Sequence, residues 1–297
     1  MRKIRVGITI GDPSGIGPHI TAIALNKLRG LAEFTVIGDL KQRNLKLGRA
    51  LPEYGRASIE YLDRALGLIK RGEIDCLVTC PISKEAINLA GYKYSGHTEY
   101  FSSKCGVKDP VMMLLNDRLK ISLVTRHLPL VKVSPALTEE KIRHTALVTL
   151  ASLKNLFGIK NPRLVICGLN PHASDNGLLG KEENRIIKPA LKKIAAQAAR
   201  GSVIDGPFSA DSAIAKTAKG RYDCAVAMYH DQALIPLKLT SAETGVNITL
   251  GLSFIRTSPL HGTAFDLAAS GFKGASAESL IAAIKLAVKC ASIARRY

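Results

Sequence analysis

Short apolar segments of strand character alternate with longer amphipathic segments along most of the chain. The short segments are rich in β-branched or continuously apolar residues and are bounded by turn residues, as expected for buried strands. The predicted strands cover residues 4–10, 34–38, 74–80, 111–115, 121–125, 163–169 and 224–229. The predicted helices cover residues 19–28, 57–71, 138–157, 184–199 and 277–294. This alternation predicts an α/β protein with a mainly parallel sheet.

The composition is that of an ordinary soluble globular protein. Hydrophobic residues make up 46% of the chain and charged residues 22%, and no apolar run is long enough to cross a bilayer. The N-terminal stretch MRKIRVGITIGDPSG has a strand pattern that meets a glycine-rich turn instead of a cleavage site. We therefore expect a cytoplasmic protein that does not enter a membrane. Since no CxxC pair occurs, the cysteines are expected to be reduced and buried. They are Cys76, Cys80, Cys105, Cys167, Cys224 and Cys290.

The chain is strongly basic. Lys and Arg number 42 against 24 Asp and Glu, which gives a formal net charge of +18. Such an excess of basic residues is consistent with binding of nucleic acid, with binding of an anionic substrate, or simply with a solvated basic surface. The basic residues are spread along the chain and few aromatic residues accompany them, so we do not expect nucleic-acid binding. A basic nucleic-acid-binding protein is the non-enzyme alternative.

Three of the seven histidines occupy the same kind of position. His127, His172 and His230 each follow the carboxyl end of a predicted strand, which is the edge where open α/β sheets bind ligands. A single histidine there is most often a hydrogen-bonded structural residue, but three favour convergence on one site. Neutral imidazoles suit Zn²⁺ or a similar divalent ion. Spacing alone leaves both explanations open, because this dispersed pattern is far less specific than a compact metal motif.

Two further stretches have the character of ligand loops. GDPSGIGP (11–18) follows a strand and precedes a helix, and its glycines allow close backbone approach to an anion. A tight strand-to-helix turn explains the same residues equally well. In SGHTEYF (95–101), His97 and Thr98 stand at a loop-to-helix junction. His97 is a candidate donor to a phosphate or hydroxyl, and a helix N-cap is the alternative explanation for Thr98.

Polar residues are embedded in the apolar stretch GVNITLGLSFIRTSPLHGTAFDLA. Such groups must find partners when they are buried. Arg256 follows an apolar run and is predicted to make a bidentate contact with an anion. The other embedded residues are Asn247, His261, Thr263 and Asp266.

Together these motifs are similar to those of the 4-hydroxythreonine-4-phosphate dehydrogenases, the PdxA family of vitamin B6 biosynthesis. The matching segments are GDPSGIGP, GHTEYF, HLPL at His127, CGLNPHA from Cys167, AMYHDQALIPLK, and the stretch from Gly245 to Ala268. They run in order from residue 11 to residue 268, which is nearly the whole chain. The last two segments are long and highly specific.

The resemblance implies a two-lobed isocitrate/isopropylmalate-dehydrogenase-like fold with a mainly parallel sheet. Residues 1–96 and 245–297 are expected to form the first α/β lobe. Residues 97–244 are expected to form the second lobe, which carries the metal ligands and dimer contacts. The resemblance also implies a homodimer whose active site includes residues from both subunits.

The resemblance also implies roles for individual residues. The expected divalent-metal ligands, one of them supplied by the partner chain, are His127, His172 and His230. The expected substrate-binding residues are His97, Thr98, Lys238, Asn247 and Arg256. The residues expected to bind NAD, or NADP, are Gly262, Thr263 and Asp266. Zn²⁺ is the expected metal, with Mg²⁺ or Co²⁺ as alternatives.

Three residues are catalytic candidates: Lys238, Asp231 and Asp211. Asp231 is next to His230 and is expected to orient it or a neighbouring ligand. Two roles are equally consistent with Asp211 at this position: capping a helix, and proton transfer. The implied reaction is the NAD- and metal-dependent oxidation of 4-phosphooxy-L-threonine, with decarboxylation to 3-amino-2-oxopropyl phosphate. In it the metal acts as a Lewis acid on the C3 hydroxyl.

The chain departs from the family pattern in two places. After NPHA it reads SDNGLLGKEE, where members usually have a GE-rich loop with a further histidine, and the loop over residues 38–56 is short. Either change can alter substrate choice, because relatives act on D-threonate or D-erythronate 4-phosphate and on aromatic cis-dihydrodiols. The retained Lys238, Asn247 and Arg256 favour a phosphorylated substrate. Phosphate acyltransfer on a related fold is a further alternative, for which the three histidines would be dispensable.

Overall fold

The computed structural model describes residues 2–42, 44–94, 96–241 and 243–296. The chain divides into two compact units, of which the first comprises Met1–Pro110 and Val246–Arg296 and the second Val111–Gly245. We predicted the second lobe to begin at residue 97, but the first unit extends to Pro110. The difference arises because Tyr100 and Phe101 are fully buried in the hydrophobic core of the first unit.

The elements follow the alternation predicted from the sequence. The strands are β1 (Arg5–Thr9), β2 (Glu33–Ile37), β3 (Cys76–Thr79), β4 (Val111–Leu115), β5 (Lys120–Leu123), β6 (Arg163–Cys167), β7 (Val203–Phe208), β8 (Cys224–Ala227), β9 (Val246–Leu250) and β10 (Ile255–Pro259). The α-helices are α1 (Gly17–Lys27), α2 (Pro52–Lys70), α3 (Lys84–Leu89), α4 (His97–Cys105), α5 (Val133–Ala136), α6 (Glu139–Asn155), α7 (Lys188–Gln197), α8 (Ala210–Ala218), α9 (His230–Ser241), α10 (Phe265–Ala269) and α11 (Glu278–Ala294). A 3-10 turn covers Leu130–Lys132, and a π-helical segment, Glu183–Ile187, leads into α7.

The sheet of the first unit has the strand order β2-β1-β3-β10-β9. Its strands are parallel except β9, which is antiparallel to β10. Helix α2 begins with a proline and a glutamate in its first turn, both of which suit a helix N-terminus. Its residues Ile59, Leu62 and Leu66 are spaced to share one face, and they pack in a single core cluster with Leu77 of β3.

The sheet of the second unit has the strand order β4-β5-β8-β6-β7. Strand β4 is antiparallel to β5, and the others run parallel. Helix α6 begins after the predicted N-cap Thr138, whose side chain accepts a hydrogen bond from the backbone N–H of Lys141. In this order the parallel strands β5, β8 and β6 are neighbours, so their carboxyl ends lie along one edge of the sheet.

Strands β7, β9 and β10 were not predicted from the sequence. β7 is the last strand of its sheet, its side chains are at least partly exposed, and it contains Gly206 and Pro207. It therefore lacks the continuous apolar run of a central strand. β9 and β10 carry polar residues such as Asn247 and Arg256, and these residues hid the strand pattern because they suggested a ligand-binding segment.

The cysteines are free, as predicted, and all but Cys105 are buried. Burial raises the pKa of Cys80, Cys167 and Cys224 to about 12, so these thiols are uncharged at neutral pH. Among the described residues, no helix is long and apolar enough to cross a membrane. The cytoplasmic location stays a prediction.

Candidate active site

Three histidines of the second unit follow neighbouring strand ends. His127 follows β5, His172 follows β6, and His230 begins α9 shortly after β8. Since β8 lies between β5 and β6 and is parallel to both, the three carboxyl ends meet at one edge of the sheet. This is the edge at which α/β sheets bind their ligands.

Two of these histidines lie close together. The ring centroids of His127 and His230 are 5.6 Å apart, with the ring planes inclined by 50°. Nδ1 of His230 lies 2.7 Å from Oδ1 of Asp231, which leaves Nε2 as the nitrogen available to a ligand. Within the described parts of the chain, no three His, Cys, Asp or Glu side chains form a group able to hold a metal ion. The structure therefore places two of the predicted ligands together, and His172 does not complete a trio with them in this chain.

His172 lies in a backbone turn of unusual conformation. Residues 172–176 are all non-glycine, and all have a φ angle between 45° and 68°. A left-handed conformation costs an L-residue about 1–2 kcal/mol. Such a turn persists only when its surroundings hold it, and backbone strain of this kind concentrates at functional sites.

Asp211 stands in the first turn of α8. Hydrogen bonds from the Ser209 side chain and the Ser212 backbone lower the pKa of Asp211, and His172 makes a smaller contribution in the same direction. The carboxylate is thus ionised at neutral pH. A negative charge at this position also interacts favourably with the helix N-terminus. Asp211 therefore suits a helix-capping role as well as it suits proton transfer.

Gln232 connects the segments that precede two of the histidines, and its role was not predicted. Its Oε1 accepts a hydrogen bond from the backbone N–H of Met228 at 2.8 Å, and its Nε2 donates to the carbonyl of Gly168 at 3.0 Å. The side chain thereby ties the end of β8 to the end of β6. Its place in the motif HDQA is the only sequence signal that would have identified it.

Lys238 is exposed near the end of α9. At 1.5 Å per residue it lies roughly 12 Å along the helix axis from His230. It shares a face of the helix with Asp231, about two turns away. The helix spacing thus puts the backbone of Lys238 about two turns from that of His230, and its roles in substrate binding and catalysis stay predictions.

In the first unit, Arg256 is buried with only 2% of its surface exposed. Its Nε and Nη2 donate to the hydroxyl of Thr79 at 3.1 and 2.6 Å, and its Nη1 donates to the hydroxyl of Thr249 at 3.0 Å. Burial lowers the pKa of Arg256 to about 9, with a partial opposing effect from the Glu99 carboxylate. The side chain therefore stays charged at neutral pH, and a buried cation held by hydroxyl groups favours an anionic ligand.

Unpaired polar atoms occur in the same unit as Arg256. Nε2 of His97 and Oδ1 of Asn247 are buried and have no hydrogen-bond partner among the described residues. Burial, and next the positive charge of Arg256, lower the pKa of His97 well below its usual value, so its ring is neutral. Asn247 faces Ser258 in the register of β9 and β10, and Arg256 faces Thr249. Because alternate residues of a strand share a face, Asn247 and Arg256 are on the same side of the sheet.

Thr98 is not the N-cap of α4. The cap position is Gly96, His97 is the first helical residue, and Thr98 is buried within the first turn. The alternative explanation for Thr98 is therefore wrong. Its predicted contact with substrate stays a prediction.

The GDPSGIGP turn packs against the predicted cofactor segment. The backbone N–H of Ile16 donates to the carbonyl of Thr263 at 3.0 Å. A Cβ atom on Gly15 would lie 2.8 Å from that same oxygen, and one on Gly11, where φ is 73°, would lie 2.1 Å from the carbonyl of Pro81. Close backbone packing thus requires both glycines. The tight-turn explanation accounts for them, and anion binding by the turn stays a prediction.

The other predicted cofactor residues, Gly262 and Asp266, lie close to Thr263 in the sequence. A Cβ atom on Gly262 would meet no other atom within 4 Å in the part of the chain that the structure describes, and Asp266 stands in the first turn of α10. Nε2 of His261 is buried and lacks a hydrogen-bond partner within the described ranges. An unpaired buried nitrogen is available to a ligand, because its desolvation is otherwise uncompensated.

Comparison with known proteins identifies the family. The family described as "Pyridoxal phosphate biosynthetic protein PdxA" matches residues 13–287. A 4-hydroxythreonine-4-phosphate dehydrogenase of Desulforapulum autotrophicum is 37% identical over 97% of this chain and 96% of its own length. The crystal structure of the Klebsiella pneumoniae protein of that name is 34% identical, with a TM-score of 0.84 over 98% of both chains.

A more distant similarity concerns the fold alone. The isocitrate dehydrogenase of Methylococcus capsulatus is 14% identical with a TM-score of 0.55, covering 99% of this chain and 88% of that chain. The predicted isocitrate-dehydrogenase-like fold is thereby confirmed. Because its relatives at 34–37% identity are dehydrogenases by name, the protein is an oxidoreductase. Matched over nearly its whole length, the chain belongs to the PdxA family of pyridoxal phosphate biosynthetic proteins.

Proposed function

We propose that this protein catalyses the NAD- and divalent-metal-dependent oxidation of 4-phosphooxy-L-threonine, with decarboxylation to 3-amino-2-oxopropyl phosphate, in pyridoxal phosphate biosynthesis. The observation that carries the proposal is the His127–His230 pair at the ends of parallel strands. Family membership supports the substrate, because relatives at 37–40% identity have the corresponding enzyme name.

The imidazole donors fit a divalent ion. His127 and His230 would hold it together with His172, one of the three being supplied by the partner subunit. Zn²⁺ suits three nitrogen ligands best, and Mg²⁺ or Co²⁺ are the alternatives. When bound, such an ion supplies Lewis-acid polarisation of the substrate hydroxyl at C3. Asp231 holds the Nδ1 edge of His230 and so keeps its Nε2 available.

The buried cation of the first unit supports a phosphorylated substrate. Arg256 neutralises the phosphate or carboxylate, and a hydrogen bond of this charged type is worth about 1.5–3 kcal/mol. Asn247 and the neutral His97 offer their unpaired atoms to the substrate, and this compensates for their desolvation. Thr98 and Lys238 complete the proposed binding set.

The remaining assignments concern hydride and proton transfer. Gly262, Thr263 and Asp266 bind the nicotinamide dinucleotide, NAD or alternatively NADP. Loss of CO₂ leaves a carbon that must take up a proton, and Nζ of Lys238 is assigned to deliver it. Asp211 is ionised at neutral pH and is assigned to accept the proton that the C3 hydroxyl loses on oxidation.

We also propose that the protein is a homodimer. An open groove of about 490 Å³ lies in the second unit, lined largely by apolar side chains of α8 and α9. Two of its lining residues are strongly exposed, Ile235 at 58% and Leu239 at 82%. Large apolar side chains grouped in this way mark interaction surfaces. The same helix begins with His230, so a partner seated here would adjoin the proposed metal site.

One assay tests the proposed reaction. Purified protein is given 4-phosphooxy-L-threonine, NAD and a divalent ion, and NADH is followed by absorbance. We expect metal-dependent turnover that His230→Ala lowers about 100-fold or more. His144→Ala, a histidine to which we assign no role, is the matched control. Absence of NADH formation with the metal present, or full activity of His230→Ala, contradicts the proposal.

The second candidate is a dehydrogenase of D-threonate or D-erythronate 4-phosphate. The departure from the family pattern after His172 favours it, because that loop follows a proposed metal ligand. The same assay with D-threonate 4-phosphate separates the two. A higher kcat/KM for this compound would replace the proposed substrate while retaining the proposed chemistry.

A further inference from the structure

A buried carboxylate holds the turn that carries His172. Glu183 is fully buried. Its Oε1 accepts hydrogen bonds from the backbone N–H groups of Leu169 and Asn170, each 2.8 Å long, and its Oε2 accepts one from Nδ2 of Asn170 at 2.9 Å. Three N–H donors from two consecutive residues thus converge on one side chain. They fix the chain immediately before the left-handed residues 172–176.

The adjacent carboxylate connects this turn to the segment that follows His127. Glu182 accepts a hydrogen bond from Nδ2 of Asn170 at 2.9 Å and another from Oγ of Ser134 at 2.6 Å. Ser134 lies in α5, the helix after His127. The two neighbouring glutamates therefore contact the chain just before His172 and helix α5, which follows His127 in sequence.

The local helix geometry is consistent with this double contact. Glu183 begins the π-helical segment Glu183–Ile187. Segments of this type are rare and occur frequently at functional sites. Consecutive residues of a regular helix point about 100° apart, yet Glu182 and Glu183 both reach the same amide of Asn170.

We propose that Glu182 and Glu183 are positioning residues that hold the segments bearing His127 and His172 in the geometry required for metal binding. This inference rests on the proposed metal-dependent function. The two carboxylates act through the backbone and through Asn170. Removing a group hydrogen-bonded directly to a metal ligand typically weakens metal affinity about 10- to 100-fold. The two glutamates act one step further from the ligands, so we expect an effect near the lower end, about tenfold.

The test is a titration of the full-length, metal-free protein with Co²⁺, followed by the visible absorption of the bound ion and by calorimetry. We expect Glu183→Gln to bind Co²⁺ about tenfold more weakly than wild type, with an altered absorption spectrum. Ser134→Ala removes one hydrogen bond to Glu182 and is expected to weaken binding about fivefold. Glu140→Gln, which alters an exposed ion pair with Arg143 in the same unit, is the matched control and is expected to bind as wild type does.

The outcomes separate this inference from the proposed function. If wild type and His230→Ala bind Co²⁺ equally, the proposed metal site is wrong and the inference falls with it. If His230→Ala loses binding while folded Glu183→Gln and Ser134→Ala match wild type in affinity and spectrum, only the inference is overturned. Lower thermal stability with unchanged Co²⁺ affinity also overturns it, since that result indicates a purely structural role. Should Glu183→Gln fail to fold, the Co²⁺ affinity of Ser134→Ala tests the inference instead.

Discussion

Arg256 is a buried cation whose hydrogen bonds go to the hydroxyl groups of Thr79 and Thr249. The residue type and its apolar context predict a contact with an anion, and this contact stays a prediction. The partners of Arg256 were not predictable, because Thr79 lies 177 residues away along the chain. A buried charge with neutral partners contributes little to folding, and it favours an anionic ligand that would compensate for its desolvation.

Arg256→Met is therefore expected to leave the free energy of unfolding unchanged or slightly higher, because it removes a desolvated charge. The KM for the phosphorylated substrate is expected to rise roughly 10- to 100-fold, as for the loss of a charge-assisted hydrogen bond. Steady-state kinetics measure the second effect. Inorganic phosphate should raise the melting temperature of wild type and of the control Arg64→Met, an exposed arginine, but not that of Arg256→Met. An equal phosphate effect in all three would contradict the assignment.

At the scale of elements, one ion network joins the starts of two strands to the end of the last helix. Asp75 precedes β3 and binds Arg5 of β1 at 2.8 Å and Arg295 after α11 at 2.7 Å. Burial alone would raise the pKa of Asp75, but the hydrogen bonds from Arg5 and Arg295 outweigh this effect and lower it to about 2. The unfolded chain has the ordinary pKa of about 3.9.

The network's stabilisation is therefore expected to be complete above about pH 4 and to disappear as the pH falls through about 2. At neutral pH, Asp75→Asn should lower the free energy of unfolding by about 1–3 kcal/mol. Urea unfolding of wild type and variant from pH 2 to pH 7 measures the difference, which should shrink between about pH 4 and pH 2. Glu60→Gln, an exposed glutamate of α2, serves as the control. A difference that is constant with pH would show that the ionised carboxylate is not responsible.

At the scale of the whole molecule, the proposed dimer would cover the apolar groove that α8 and α9 line in the second unit. Ile235→Lys places a charge on this surface and is expected to weaken self-association at least about tenfold. Leu89→Lys is the matched control, since Leu89 is 55% exposed against 58% for Ile235 but lies in the first unit. Sedimentation measures the oligomeric state. An unchanged dimer in Ile235→Lys would remove this groove from the proposed interface.

The sequence alone determined the α/β class, most of the buried strands, the strand-end positions of His127, His172 and His230, and the family. Those features are local, because a continuous apolar run and the residue that follows it can be identified within a short window. Three other features became apparent only in the folded chain: α4 packs in the first unit, His127 and His230 approach each other without His172, and Arg256 meets Thr79. The hydrogen bonds of Glu182 and Glu183 to the chain before His172 are a fourth. These contacts depend on strand order and on the packing of segments distant in sequence, which no local pattern encodes.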